Sequence, residues 1–430
     1  MATIRPFRAV MPAHTPGQDV SPRVAPPYDV ISPEQRERLV QRDPHNIVEL
    51  ELPEGPSDPS VPGNRYQTGA ATWKEWLEEG ALVIDERPAV YVVEQRFGLG
   101  ERQIRRQSLV AAVGLEPFDA GVILPHERTL PKALDDRMHL LRATRANLSQ
   151  VFGLFSDPEH LVRQEVTAAI KDREPEMRAV DDDGVESLVW AIHDPEAIER
   201  IAALLEPRQL FIADGHHRYT TALAYRDERW AQEPSASHRP WDSVMMALTN
   251  MDDPNLVVLA THRVADAPGD FVPHEFREAL EEFFEVAPFD GEPEEFLADA
   301  ETCAFVMKTP ADAELFSVTL RADVDPVEVI PGDHCDAWKR LDVAILQELV
   351  LSPLLDIHPD RPETLARLSF VKDGGRALIV DDHDLVVLLR PTGMDELREV
   401  ALAGERMPQK STYFYPKLLS GLIMRSLDVE

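Results

Sequence analysis

The chain has 430 residues, 43% hydrophobic and 28% charged, a globular composition long enough for two or three packed domains. Its formal net charge of −33 repels phosphate backbones and sets nucleic acid aside as a partner. Two cysteines exclude a disulfide framework or a cysteine zinc site. No apolar run reaches the length of a membrane span, and "MATIRPFRAVMPAH" lacks the apolar core of a signal peptide, so a cytoplasmic location is expected.

In chain order, "VAPPYDVISPEQRERLV" predicts a Pro-rich loop, then a helix capped by Ser32 with Pro33 at its first position. "EGPSDPSVPGN" is a turn-rich spacer, and "NRYQTGAATWKEWLEEG" predicts a helix closed by Gly80. "PAVYVVEQRF" and "RQIRRQSLVAAVGL", split by "GLGE", predict a β-hairpin. Leu134, Met138 and Leu141 recur at helical spacing. "SLVWAI", "PEAIERIAALLE", "LFIAD" and "YTTALAYRDERWA" then alternate as strand, helix, strand and helix. "SVMMALTNM" and "LVVLATHRV" read as two strands split by the turn "DDPN". Beyond Ala267 come acidic helices and short strands, including "CAFVMKT", "ELFSVTL" and "DLVVLLRP", with a late helix "MDELREVALAG". The alternation argues for an α/β or mixed α+β core. Three regions are expected: 1–118, 119–265 and 266–430.

Chemistry concentrates in "LFIADGHHRYTTAL", Leu210 to Leu223. A buried strand ending at Asp214 presents its carboxylate at a sheet edge, where open α/β folds place ligands. Gly215 permits a tight turn and close approach of a ligand. A helix beginning near Arg218 offers free N–H groups to an anion, and His216, His217 and Arg218 surround them with donors. The turn thus reads as a phosphate cradle beside a carboxylate that suits Mg²⁺ or a substrate hydroxyl. The alternatives are histidines that merely cap a helix, or a metal site on His216, His217 and Asp214 for hydrolysis. No i,i+4 histidine pair supports the latter.

Two further stretches carry charge. "LPHERTLPKALDDRMHLLRATR" sets Arg128, Lys132, Arg137, Arg142 and Arg145 against three acids, a compact polyanion site or a solvated helix face. Glu127 beside it is a candidate general base. "MPQKSTYFYPKLLSGL" brings Lys410 and Lys417, two of eight lysines, together with Ser411, Thr412 and two tyrosines. That mixture suits phosphate contact, or a structural C-terminal segment.

"APPYDVIS", "PHERTL", "IADGHHRYTTAL" and "MPQKSTYFYPK" resemble, in order and over nearly the whole chain, the prokaryotic family called domain of unknown function 1015. The "DGHHR" turn is also similar to that of free-serine kinases of the ParB/sulfiredoxin superfamily. The resemblance implies a ParB/sulfiredoxin-like mixed-sheet core with N-terminal and C-terminal α/β additions. It implies a nucleotide-dependent phosphotransferase, using ATP or ADP with Mg²⁺, that acts on a small hydroxylated metabolite such as serine. By this carry-over Glu127 is the base, and Gly215, His216, His217 and Arg218 hold nucleotide phosphates. His217 and Asp214 join the catalytic group, with Asp214 the candidate Mg²⁺ ligand. Arg128, Arg137, Lys410, Ser411, Thr412 and Lys417 are expected on phosphate, and His126, Tyr28 and Asp29 on substrate. A non-catalytic nucleotide- or metabolite-binding regulator is the competing expectation.

Overall fold

Val90–Leu99 and Arg102–Gly114 form the expected hairpin, with Tyr91 opposite Val110 and Leu99 opposite Arg102. The computed structural model describes residues 1–127, 129, 131–235, 239–309, 315–379 and 383–428. The chain divides into two compact units, one of residues 1–125, 129–256 and 416–430, the other of residues 126–128 and 257–415.

The first unit is built on a large mixed sheet around that hairpin. Its strands run in the order Gln18–Asp19, Met177–Val180, Glu186–Ile192, Val90–Leu99, Arg102–Gly114, Ser243–Asn250, Val151–Phe155, Leu210–Asp214, Ile123–Pro125. Strands on both sides of residue 118, assigned above to separate regions, therefore hydrogen-bond within one sheet. One face buries Val92, Leu109, Val113, Met246 and Ile212 against the apolar sides of helices Leu161–Ile170 and Pro195–Leu205. Those two helices supply Val162, Val166, Ile198, Ile201 and Leu205 at helical spacing. Asp194 caps the second by accepting from the Glu196 N–H, with Pro195 at its first position.

A second core in the same unit gathers helices Pro33–Arg42, Arg65–Glu78 and Pro131–Thr144, through Leu39, Tyr66, Trp73, Trp76 and Leu140. Ser32 caps the first of these as its sequence predicts, accepting from the Gln35 N–H at 3.2 Å. Asn64 caps the next, accepting from the N–H groups of Tyr66 and Gln67.

The second unit centres on a six-stranded sheet ordered Phe284–Phe289, Leu315–Leu320, Ala304–Lys308, Leu385–Leu388, His262–Ala265, Leu368–Val371. "LVVLATHRV", expected as one strand, is two. Val257–Leu259 pairs with Tyr413–Tyr415, while His262–Ala265 joins the six-stranded sheet. The break falls at Thr261, whose carbonyl accepts from the Arg263 guanidinium and so turns away from a ladder. The protein is a mixed α/β fold. Among the described residues, no helix is long and apolar enough to cross a membrane.

Candidate functional site

Strand Leu210–Asp214 pairs antiparallel with Val151–Phe155, and the register shifts between Ile212 and Asp214. Such an irregularity re-aims the terminal side chain. Gly215 follows with φ +86°, and a Cβ there would lie 3.0 Å from the Arg218 guanidinium. Only glycine takes this turn with that side chain laid across it. The helix starts at His216, two residues earlier than expected, and runs to Gln232. The turn at Gly215 completes the change of direction, so no further residue is needed. His216 is buried and His217 half-buried at its first two positions.

Asp214 Oδ1 accepts from the Gly215 N–H at 2.7 Å, and Oδ2 accepts from Lys417 Nζ at 2.8 Å. Arg218 Nη2 lies 4.0 Å from Asp214 Oδ1, and Nη1 donates to the Gln150 carbonyl. Burial alone would raise the Asp214 carboxyl. Lys417, then Arg218, overcome it and hold the group below the ordinary carboxylate range. Two cations and one carboxylate at a helix N-terminus leave the corner net positive.

Lys417 is seated by residues that its own motif does not contain. Gln95 Nε2 donates to the Lys417 carbonyl at 3.0 Å, and Gln150 Nε2 to the Leu419 carbonyl at 3.1 Å. Arg106, buried against the Phe152 ring at 5.0 Å, donates to Gln95 Oε1 and to the Pro416 carbonyl. Burial pushes its guanidinium down to about 9. Arg106 and Gln95 sit mid-strand among polar residues, where nothing in the sequence distinguishes them from an exposed face.

Beside the turn, Arg218 and Arg137 both line a cleft with about 50 Å³ of water-accessible space, together with Glu51, Ser149 and Thr221. Arg137 Nη1 donates to Glu51 Oε2 at 3.2 Å and to the Glu51 carbonyl at 3.1 Å, and it pairs with Asp136. Its guanidinium stands 4.1 Å from the centre of the Tyr28 ring. Burial raises the Tyr28 hydroxyl, opposed by the charges of Arg137 and Arg218. Three stretches singled out in the sequence thus meet within this unit: "APPYDVIS" through Tyr28, the basic helix through Arg137, and "DGHHR" through Arg218. The last motif reaches the same corner through Lys417. Asp29 is exposed.

The remainder of the basic stretch divides. Arg142 pairs with Glu228 at 2.6 Å and Arg145 with Asp428 at 2.9 Å, both more than two-fifths exposed. Those two form the solvated face that was the alternative to a polyanion site. Arg128 lies outside the described residues.

His126 and Glu127 belong to the second unit. The His126 carbonyl accepts from the Met407 N–H at 2.7 Å, and its Nε2 lies 3.0 Å from Thr412 Oγ1. Ser411 Oγ donates to the Pro408 carbonyl, and the Ser411 carbonyl accepts from Thr392 Oγ1 at 2.8 Å. Ser411 and Thr412 are buried, so their hydroxyls, expected on phosphate, are engaged inside this unit. Lys410 is exposed, in the left-handed region at φ +55°. Its carbonyl accepts from Arg263 Nη2 at 3.3 Å. Arg263 is buried, 4.7 Å over Phe370, and burial pushes it down to about 9 while the Glu127 charge opposes that fall. The sequence reading missed Arg263, which looks like one more strand arginine.

The Asp214 carboxylate does not fit its expected role as a Mg²⁺ ligand. One oxygen is held by a backbone N–H and the other by an ammonium group, whose charge repels a metal ion. Among the described residues, no three His, Cys, Asp or Glu side chains gather as a metal-binding group.

A family model described as "Protein of unknown function (DUF1015)" matches residues 4–344. No curated protein matches the chain. Among solved structures, a free serine kinase variant in complex with ADP aligns at 14% identity over 71% of this chain and 87% of its own, with a TM-score of 0.34. A conserved hypothetical protein from Pyrococcus furiosus aligns at 14% identity over 75% and 97%, also at 0.34. SbnI with a C-terminal truncation, from Staphylococcus aureus, aligns at 11% identity over 73% and 86%, at 0.36. At such TM-scores the architecture is read from this chain's own strands and helices.

Proposed function

The chain belongs to the DUF1015 family of proteins of unknown function, and for this member we propose nucleotide-dependent phosphoryl transfer to a small hydroxylated metabolite, serine or a similar acid first. The observation that supports it is the Asp214–Lys417–Arg218 group at the start of helix His216–Gln232. Phosphoryl transfer asks a protein chiefly for positioning and for neutralised phosphate charge. A net-positive corner at the N-terminus of a helix supplies the second. Asp214 acts there as the fixed counter-ion that orients Lys417 and Arg218 toward a polyphosphate. His217, one residue before Arg218, is assigned to the transferred phosphoryl group.

In the proposed reaction the acceptor oxygen bonds to the terminal phosphorus of ATP or ADP as the bond to the leaving nucleotide breaks. The hydroxyl proton passes to the Glu127 carboxylate. Arg263 is the buried cation whose charge interacts with Glu127. Mg²⁺ is given no step, because the Asp214 oxygens are already engaged.

The test is a product assay with ATP and with ADP across hydroxy amino acids and hydroxy acids. Phosphorylated product in the native protein, lost in both His217→Ala and Glu127→Gln while each remains folded, supports the reading. Nucleotide binding with no product from any acceptor favours a regulator that binds without turnover.

A further inference from the structure

Three buried polar atoms in the cleft beside the turn lack a hydrogen-bond partner among the described residues: Glu51 Oε1, Thr221 Oγ1 and Arg218 Nε. All three residues line the same space. Glu51 is 3% exposed, as is Thr221. A buried carboxylate oxygen left without a donor is costly, so a cleft that gathers such an acceptor, a donor and a hydroxyl is built for something that enters it.

The charges say what kind of group that is. Arg137 is matched by Glu51 and Asp136, and Asp136 also pairs with Arg65. Two cations thus face two carboxylates, and among the described residues Glu51 and Arg137 bring matched charge to the cleft. The excess positive charge lies at the turn, where Arg218 and Lys417 share Asp214. An alcohol suits this lining: it donates to Glu51 Oε1 and accepts from Arg218 Nε or Thr221 Oγ1.

We infer that this cleft is a subsite for an uncharged hydroxyl group, held by Glu51, Thr221 and Arg218. The inference rests on the proposed polyanion reading only in setting which end of a ligand faces the turn. Two sources share this chemistry: the ribose of the bound nucleotide and the alcohol that accepts the phosphoryl group. Glu51 is a ligand-positioning residue in either case.

The experiment uses the full chain and calorimetry. ADP, 2′-deoxy-ADP, 3′-deoxy-ADP, glycerol and tripolyphosphate are titrated into the native protein, Thr221→Val and Glu51→Gln. Thr221→Val keeps side-chain volume and leaves the Arg137 pair intact, so it remains informative if Glu51→Gln fails to fold. A ribose occupant predicts that one deoxy analogue binds about tenfold more weakly than ADP, with the difference largely erased in Thr221→Val. An acceptor occupant predicts equal binding of all three nucleotides and saturable glycerol binding that Thr221→Val weakens by about tenfold. Deoxy analogues equal to ADP, together with no glycerol saturation, overturn the inference. Tripolyphosphate reads the turn separately. If it binds while both hydroxyl arms fail, the subsite falls alone, whereas its failure to bind removes the phosphate reading.

Discussion

Lys417 Nζ donates to Asp214 Oδ2 at 2.8 Å, joining residues 203 apart in the sequence. The pair closes the C-terminal segment onto the strand-to-helix turn and turns a carboxylate that looks like a metal ligand into a counter-ion. Lys417→Met leaves Asp214 half-buried with the Gly215 N–H and the more distant Arg218. With both side chains about one-fifth exposed, the cost to stability is about 1–3 kcal/mol, below that of a fully buried pair. Chemical denaturation measures it. Because Asp214 is held below the ordinary carboxylate range, its contribution is present above that range and is lost only as pH falls through the lower, folded-state value. Lys417→Met removes most of that depression, so its acid titration is expected to be flatter and its stability gap to the native protein to narrow as pH falls below the ordinary carboxylate range.

Gly215→Ala combines a left-handed backbone with a Cβ 3.0 Å from the Arg218 guanidinium. The strain costs about 1–2 kcal/mol, and Arg218 must move to admit the methyl group. Thermal melts are expected to fall modestly, while ADP affinity measured by calorimetry falls by more than the stability change explains. Unaltered affinity would place nucleotide elsewhere.

Glu127→Gln tests the base. Turnover is expected to fall by about 10²–10⁴-fold with nucleotide Kd little changed, as for removal of a proton acceptor. Arg263→Met, which removes the buried cation whose charge interacts with Glu127, is expected to lower turnover with nucleotide Kd little changed.

His262 gives the second unit its own pH dependence. Its Nδ1 accepts from the Leu389 N–H at 3.2 Å, which requires that nitrogen unprotonated. Burial, then the charge of Arg263, push the ring down to about 4. The unfolded chain takes up this proton near the ordinary value of about 6.5, so stability falls as pH drops between those limits, by at most about 3 kcal/mol. The loss stops once the folded ring also protonates. His262→Asn is expected to flatten the stability curve between about pH 4 and 6.5. Denaturant melts across that range check it.

Much of this arrangement was legible in the sequence. Ser32–Pro33 and the "GLGE" turn carry local signals strong enough to fix a helix start and a hairpin. Asp214, Gly215, Arg218 and Tyr28 stand in compact motifs of unusual residue types. Partnership over long separations was not legible. Lys410 and Lys417 look equivalent in one motif, yet Lys417 lies in the first unit and Lys410 in the second. Glu51 sits in "VELELPEG", where a buried carboxylate looks like any acid on a short helix, and its significance comes only from Arg137, 86 residues away. Asp214 reads as a metal ligand until its partner 203 residues on is placed.

The most direct measurement of the central claim is a titration of isotopically labelled protein with ADP, followed through the backbone amide resonances of Gly215, His216, His217 and Arg218. Saturable shifts confined mainly to those amides and the Lys417 region, lost in Arg218→Met, are the predicted result. Saturable ADP binding that leaves those four amides undisturbed, or that persists unchanged in Arg218→Met, would contradict it.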